Sequence, residues 1–324
     1  MLLNELNDDV LRLIITFLDS SGYDRSNILS LALTCHRLHR LANNFIPRAV
    51  SLIIPSLKFS LLRRCMNEDL AYGQKILELG IQKYHSSAIT QSEFHSFLQN
   101  TPNLRHLDVA NFFDLPVAPI LLYGELSLRN TLMDLSLAYT TAQELLQLAM
   151  FPKLHHISSS ISSRDLSSME ISSMESTTHI EVQLKSLDII SPAIGTLFLG
   201  TVLSYSSKLS TLKCPIPLRK EGIMISFAGE LQICYPLSPI QIVPILMPVA
   251  GTLTHLELST EAQIWPGYDT SRLDISRFRM LKSLKASALC FMCPLELNIS
   301  RDGFYELLPR SLEHLQVRKS PWHL

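Results

Sequence analysis

The sequence predicts an α/β solenoid, a curved parallel sheet with helical or irregular returns, preceded by a small all-α unit. Three observations predict it. One short phrase, Leu-x-x-Leu-x-Leu, recurs along most of the chain. The residues between copies carry helix-start signals, and the segment before Ala49 lacks the phrase and shows helical spacing instead. Composition permits the core this needs, with 47% hydrophobic and 18% charged residues in 324, values of a folded globular chain rather than a disordered one.

The helical segment comes first. Asn7 can cap a helix whose first turn holds Asp8 and Asp9, where the helix dipole favours negative charge. Val10, Leu11, Ile14, Phe17 and Leu18 recur at three- and four-residue spacing and predict one apolar stripe. A polar break from Asp19 to Asn27 separates a second helix lined by Ile28, Leu31, Cys35, Leu38 and Leu41, with Arg37 and Arg40 toward its end. From spacing alone, the pair reads first as the polar-faced cap that a solenoid needs at its terminus.

Residues 3–47 resemble the F-box family. Leu6, Asp9, Val10, Leu11, Ile14 and Leu18 fill the first half of its pattern; Leu29, Leu31, Leu33, Cys35, Arg37, Leu41 and Ala42 fill the second. Asn7 stands where Pro is usual, Leu38 where Trp is common, and the loop around Gly22 is longer. The resemblance implies an F-box-like domain over residues 1–48 that docks on the adaptor of a Skp–cullin–F-box ubiquitin ligase. It implies Leu6, Asn7, Val10, Leu11, Ile14, Leu18, Leu29 and Leu33 as the adaptor-binding residues.

From residue 49 to 324 the phrase takes over. Its copies start at Ala49, Ile76, Leu104, Leu132, Leu154, Leu184, Leu209, Ala228, Leu253, Leu281 and Leu312. That spacing, averaging roughly 26 residues, resembles the leucine-rich repeat, so the expected fold is an α/β leucine-rich-repeat solenoid. In each copy the Leu-x-Leu portion reads as a strand with leucines inward and polar residues outward. Thr90-Gln-Ser-Glu93 and Thr141-Ala-Gln-Glu144 read as capping boxes of return helices, with Pro102 and Pro152 stopping each before the next strand. Prolines 215, 217, 236, 239 and 244 predict extended or irregular backbone between Leu209 and Leu253, and the Ser-rich run Ser158–Thr178 predicts a flexible loop. Leu107, Leu135, Leu187, Leu256 and Leu315 should be buried in one column.

Alternation also predicts a recognition face. The position between the last two leucines gives Asp108, Ser136, Ser158, Asp188, Lys213, Gln232, Glu257, Lys285 and Gln316. The position before the second leucine gives His106, Asp134, His156, Ser186, Thr211, Glu230, His255, Ser283 and His314. Among these, His106, Asp108, Asp134, His156, Asp188, Lys213, His255, Glu257, Lys285 and His314 are the candidate target-binding residues, because solenoids use their concave side for partners.

Signs of chemistry are few. With only 11 glycines there is no Gly-rich phosphate loop, and no hydrolase, kinase or zinc-protease signature is present. Cys290-Phe-Met-Cys293 has the bare spacing of zinc and redox sites but no companion ligands, so buried reduced thiols are expected. The adjacent His155 and His156 point to opposite faces of a strand and cannot easily share a metal. The sequon at Asn298 carries little weight without a secretory signal. No cofactor and no metal are expected. A net charge of −1 argues against nucleic acid as partner. The apolar run Ile240–Ala250 is too short for a membrane span, and no export signal reads at the start, so a cytoplasmic or nuclear location is expected. No obligate homo-oligomer is expected. Three functions remain: the ligase adaptor with an unknown protein substrate, a repeat scaffold with no ubiquitin link, and an enzyme.

Overall fold

The computed structural model describes residues 6–20, 31, 35–42, 48–54, 56–68, 70–83, 89–113, 115–161, 182–190, 194–226, 229–259, 271–291 and 304–318. Ile28, Leu29, Leu33, Cys293, Asn298, Trp322 and the serine-rich run beyond Ile161 lie outside them. The chain divides into two compact units, Met1–Leu115 with Gly124–Leu132, and Pro116–Tyr123 with Met133–Leu324.

The first unit opens with helices α1 (Asp8–Ser20) and α2 (His36–Ala42). Asn7 Oδ1 accepts the Val10 N–H at 2.8 Å, the expected cap. Leu11, Ile15, Leu38, Leu41 and Ala42 are buried together, with Leu6, Leu18, Leu31 and Cys35 half-buried against them. The inward face of α1 therefore differs from the expected stripe. Ile15 is fully buried, whereas Val10, Leu13 and Phe17 are exposed. Apolar residues cover two arcs of this helix, and spacing alone does not say which arc α2 takes.

A salt-bridged staple, not legible from spacing, sets how the two helices meet. Arg37 Nε donates to Asp8 Oδ1 at 2.8 Å and its Nη2 to the Leu6 carbonyl at 2.7 Å, while Arg40 Nη2 lies 3.1 Å from Asp8 Oδ2. The Arg37 hydrogen bond in particular holds the Asp8 carboxyl below its ordinary range.

Three parallel strands follow in the same unit, β1 (Ala49–Ile54), β2 (Glu78–Lys83) and β3 (His106–Asn111). Helices α3 (Leu57–Glu68) and α4 (Leu70–Gln74) join the first two, and α5 (Gln91–Gln99) joins the second to the third. Val50 lies opposite Leu79, so the first copy of the phrase is in phase two residues earlier than Ala49. The α5 capping box forms as expected, with Thr90 Oγ1 accepting the Glu93 N–H and Glu93 Oε2 accepting the Thr90 N–H. Gly73 in α4 faces the Asn100 carbonyl so closely that a Cβ there would collide with it.

The second unit holds α6 (Val117–Tyr123), β4 (Asp134–Thr140), α7 (Ala142–Ala149), β5 (His156–Ile161), β6 (Ser186–Ile189), α8 (Thr196–Tyr205) and β7 (Thr211–Pro215). An antiparallel hairpin of β8 (Leu218–Ser226) and β9 (Gly229–Pro236) comes next, then α9 (Pro239–Leu246), β10 (His255–Ser259), β11 (Ser283–Ser287) and β12 (His314–Arg318). The parallel sheet runs β4-β5-β6-β7-β10-β11-β12. Every copy of the phrase but one supplies a strand of these parallel sheets. The copy at Ala228 does not, because β7 pairs directly with β10 and Glu230 and Gln232 belong to the hairpin.

The proline-rich stretch is extended as far as Pro236 and then helical, contrary to expectation. Pro239 opens α9, where its missing N–H is no loss, and Pro244 falls in the last turn. Ser158–Ile161 belong to β5 rather than to a loop, and Ser159 is buried with its Oγ 2.9 Å from Thr140 Oγ1.

Inward leucines behave as the alternation demands, with Leu135 and Leu187 at 0% exposure and Leu107 and Leu256 nearly so. Leu315 is the exception at 41%. Among the described residues no strand lies on the outer side of β12.

Two ladders tie one repeat to the next. The carbonyl just before most strands accepts two consecutive N–H groups from the following repeat, as Lys185 and Ser186 on His155 and Ser210 and Thr211 on Lys185. The hydroxyl just before the first leucine of a phrase donates to the carbonyl of the previous phrase's first leucine. Thr131 reaches Leu104 at 2.9 Å, Thr252 reaches Leu209 at 2.8 Å, and Ser311 reaches Leu281 at 2.8 Å. These bonds satisfy buried backbone acceptors.

Candidate interaction surface

In the second unit, register lines the outward side chains into rows that cross the sheet, with strands about 4.8 Å apart. A first row holds Asp134, His156, Ser186, Thr211, His255, Ser283 and His314. A second holds Ser136, Ser158, Asp188, Lys213, Glu257, Lys285 and Gln316. The eight candidate residues from Asp134 to His314 therefore share one face. Gln232 and Glu230 drop out with the hairpin. In the first unit, His106 lies opposite Glu78 and Asp108 opposite Gly80; Asp108 Oδ1 also accepts the Ala110 N–H at 3.1 Å.

A third row was not anticipated. Tyr139 pairs with Ser160, Pro215 with Ser259, and Ser287 with Arg318. Ile190, whose N–H donates to the Ser159 carbonyl at 2.9 Å, extends β6 into the same row. Tyr139 and Ile190 are exposed. Reading the phrase one residue further would have found Ile190 and Arg318. Tyr139 was hidden by a register shift after Leu137, which moves the outward position by one.

Charges alternate in sign along the second row from β6 to β11. Lys213 Nζ lies 3.5 Å from Asp188 Oδ2, and Lys285 Nζ lies 2.6 Å from Glu257 Oε1. Arg318 Nη2 adds a second cation 3.5 Å from that same Glu257 oxygen. A groove of about 450 Å³ opens over these strands, lined in part by Thr211, Lys213, His255, Glu257, Lys285 and His314. Thr254 Oγ1 lies 2.8 Å from His255 Nδ1 and steadies that ring. The surface is equipped to bind by hydrogen bonds and ion pairs.

The described thiols near it are not nucleophiles. Burial pushes Cys214 up to about 12, helped by the Asp188 charge. Burial likewise raises Cys290 to about 12, against the Ser287 backbone hydrogen bond. Among the described residues no three metal-ligating side chains converge, and no helix is long and apolar enough to cross a membrane.

The residues assigned to adaptor docking divide. Val10 is exposed and Ile14 half-buried on the outer arc of α1. Leu11 is 1% exposed and belongs to the core of the helix pair, so it has no surface to offer a partner. Leu6 and Leu18 are half-buried against that core, and Asn7 is the helix cap. Leu13 and Phe17, which complete an exposed row with Val10 and Ile14 at helical spacing, were missing from the assignment.

No family model matches the chain, and no curated protein matches it. Among solved structures it is similar to the leucine-rich-repeat-containing protein LegL7 of Legionella pneumophila, at 12% identity over 83% of each chain with a TM-score of 0.42. The strand order, register and repeat ladders of the chain itself make the fold an α/β leucine-rich-repeat solenoid, the architecture of a protein-interaction scaffold.

Proposed function

We propose that the chain is a non-catalytic substrate-recognition subunit of a Skp–cullin–F-box type ubiquitin ligase, working in the cytoplasm or nucleus. The α1–α2 pair docks on the adaptor, and the polar face of the second unit's sheet holds a target protein. One observation carries this reading. The helix pair whose sequence resembles an F-box keeps Leu11, Ile15, Leu38 and Leu41 as its own core, yet leaves the apolar row Val10, Leu13, Ile14 and Phe17 at its surface. Apolar rows of this kind on a helix mark interaction sites. Leu38 fills the position where Trp is common and is buried, so that departure is absorbed by packing.

The test is co-purification of the full chain with a Skp-type adaptor. Wild type should be captured. Leu13→Asp with Phe17→Asp should lose capture while thermal unfolding stays unchanged, because both side chains are solvent-facing and charge is disfavoured only in the docked state. A folded wild-type chain that captures no adaptor overturns the ligase assignment and leaves the scaffold.

A further inference from the structure

The rows over β7, β10, β11 and β12 are not electrically even, and the unevenness selects a ligand. Glu257, Asp188 and Lys285 are recessed at 24% side-chain exposure, whereas Lys213 and Arg318 stand out at 50% and 53%. Glu257 is covered from two sides by Lys285 and Arg318. Asp188 and Glu257 therefore lie deeper than Lys213 and Arg318, and Glu313, exposed at 56% in the groove lining, is matched by Lys282 at 3.1 Å, so the exposed charge about the groove is positive in excess. A guanidinium has five N–H donors, and one contact to Glu257 leaves Arg318 able to take a further carboxylate. Ser283, Thr211, His255 and His314 along the first row add hydrogen-bonding groups beside the cations.

We propose that this groove binds an acidic peptide segment, its carboxylates lying over Lys213 in the groove and reaching Arg318 beside it. The inference rests on reading this face as the recognition surface and adds the class of partner to it. A nucleic acid fits less well. Among the described residues no Phe, Tyr or Trp lines the groove to stack a base. The recessed Asp188 and Glu257 oppose the closely spaced charges of a phosphate backbone but tolerate carboxylates spaced along a peptide.

Fluorescence anisotropy with the full chain tests this, using a labelled alternating glutamate–serine peptide, its lysine–serine counterpart and a short single-stranded RNA. The acidic peptide should bind best and weaken as sodium chloride rises. Lys213→Glu with Arg318→Glu should weaken it about tenfold or more, with the unfolding midpoint unchanged. Failure of the wild type to bind the acidic peptide, or stronger binding of the lysine peptide or the RNA, overturns the proposal. Ser283→Trp, which fills the groove without changing charge, separates the two readings. If it abolishes binding while the charge-reversed variant binds normally, the face is right and the acidic partner is wrong. If neither variant changes binding, the face is wrong as well.

Discussion

The interior strands of the second unit and its last strand carry the same phrase but sit in different surroundings. Leu187 on β6 has strands on both sides and no exposure, whereas Leu315 on β12 fills the same position at 41%. A solenoid core is built by neighbours, so a leucine is worth what the flanking repeats make of it. Position in the array therefore decides stability more than the identity of the residue does.

Side-chain truncation at the two leucines should show the largest difference. Leu187→Ala should cost about 2–5 kcal/mol, and Leu315→Ala roughly 1 kcal/mol or less, measured by urea unfolding. Equal losses would mean that β12 is covered in solution.

Thiol protection extends the comparison along the array. Cys214 on β7 and Cys290 just after β11 are both pushed from 9.0 to about 12 by burial, which lowers the thiolate fraction near pH 8 by roughly a thousandfold. Site-resolved alkylation should find both protected in the native chain, with Cys290 reacting first if β12, where Leu315 is exposed, frays from the sheet. The sign of the pH dependence follows. Both thiols stay neutral when folded and ionise first when unfolded, so their contribution to stability is complete below about 9 and is lost as pH rises toward 12. Cys214→Ala should flatten that alkaline loss.

A smaller effect comes from the hydroxyl ladder. Thr252→Val removes the donor to the Leu209 carbonyl between interior strands, and Ser311→Ala removes the matching donor to Leu281 near the end. The first should cost about 1–2 kcal/mol and the second less, since the second acceptor lies beside the more exposed β12 and can turn to water. Smallest of all is the ion pair at Glu257. Arg318→Ala should change stability by less than about 0.5 kcal/mol, since the guanidinium is half exposed. A larger loss would show that this pair anchors the last strand.

Much of the architecture was legible because strand alternation has a period of two and the phrase repeats it. Asp188, Lys213, Glu257 and Lys285 fell on one row by counting alone. Where counting failed, a local event broke the period: a register shift displaced Tyr139, and the hairpin removed Gln232 from the row. On α1 the failure was different. A helix with apolar residues on two arcs has two possible insides, and Asp8 meeting Arg37 and Arg40 helps hold the one observed. Nothing in the spacing of Leu11, Ile14 and Ile15 distinguishes them.

Residues close in the chain suffice for the solenoid, for the phase of its strands from Ile76 onward save the copy at Ala228, and for the capping boxes at Thr90 and Thr141, both of which form. Contacts made at a distance settled which strands became neighbours across the hairpin, which arc of α1 turned inward, and which charges along the second row were recessed or exposed. Those outcomes depend on residues far apart in sequence, such as Glu257 and Arg318, whose meeting is set by strand pairing.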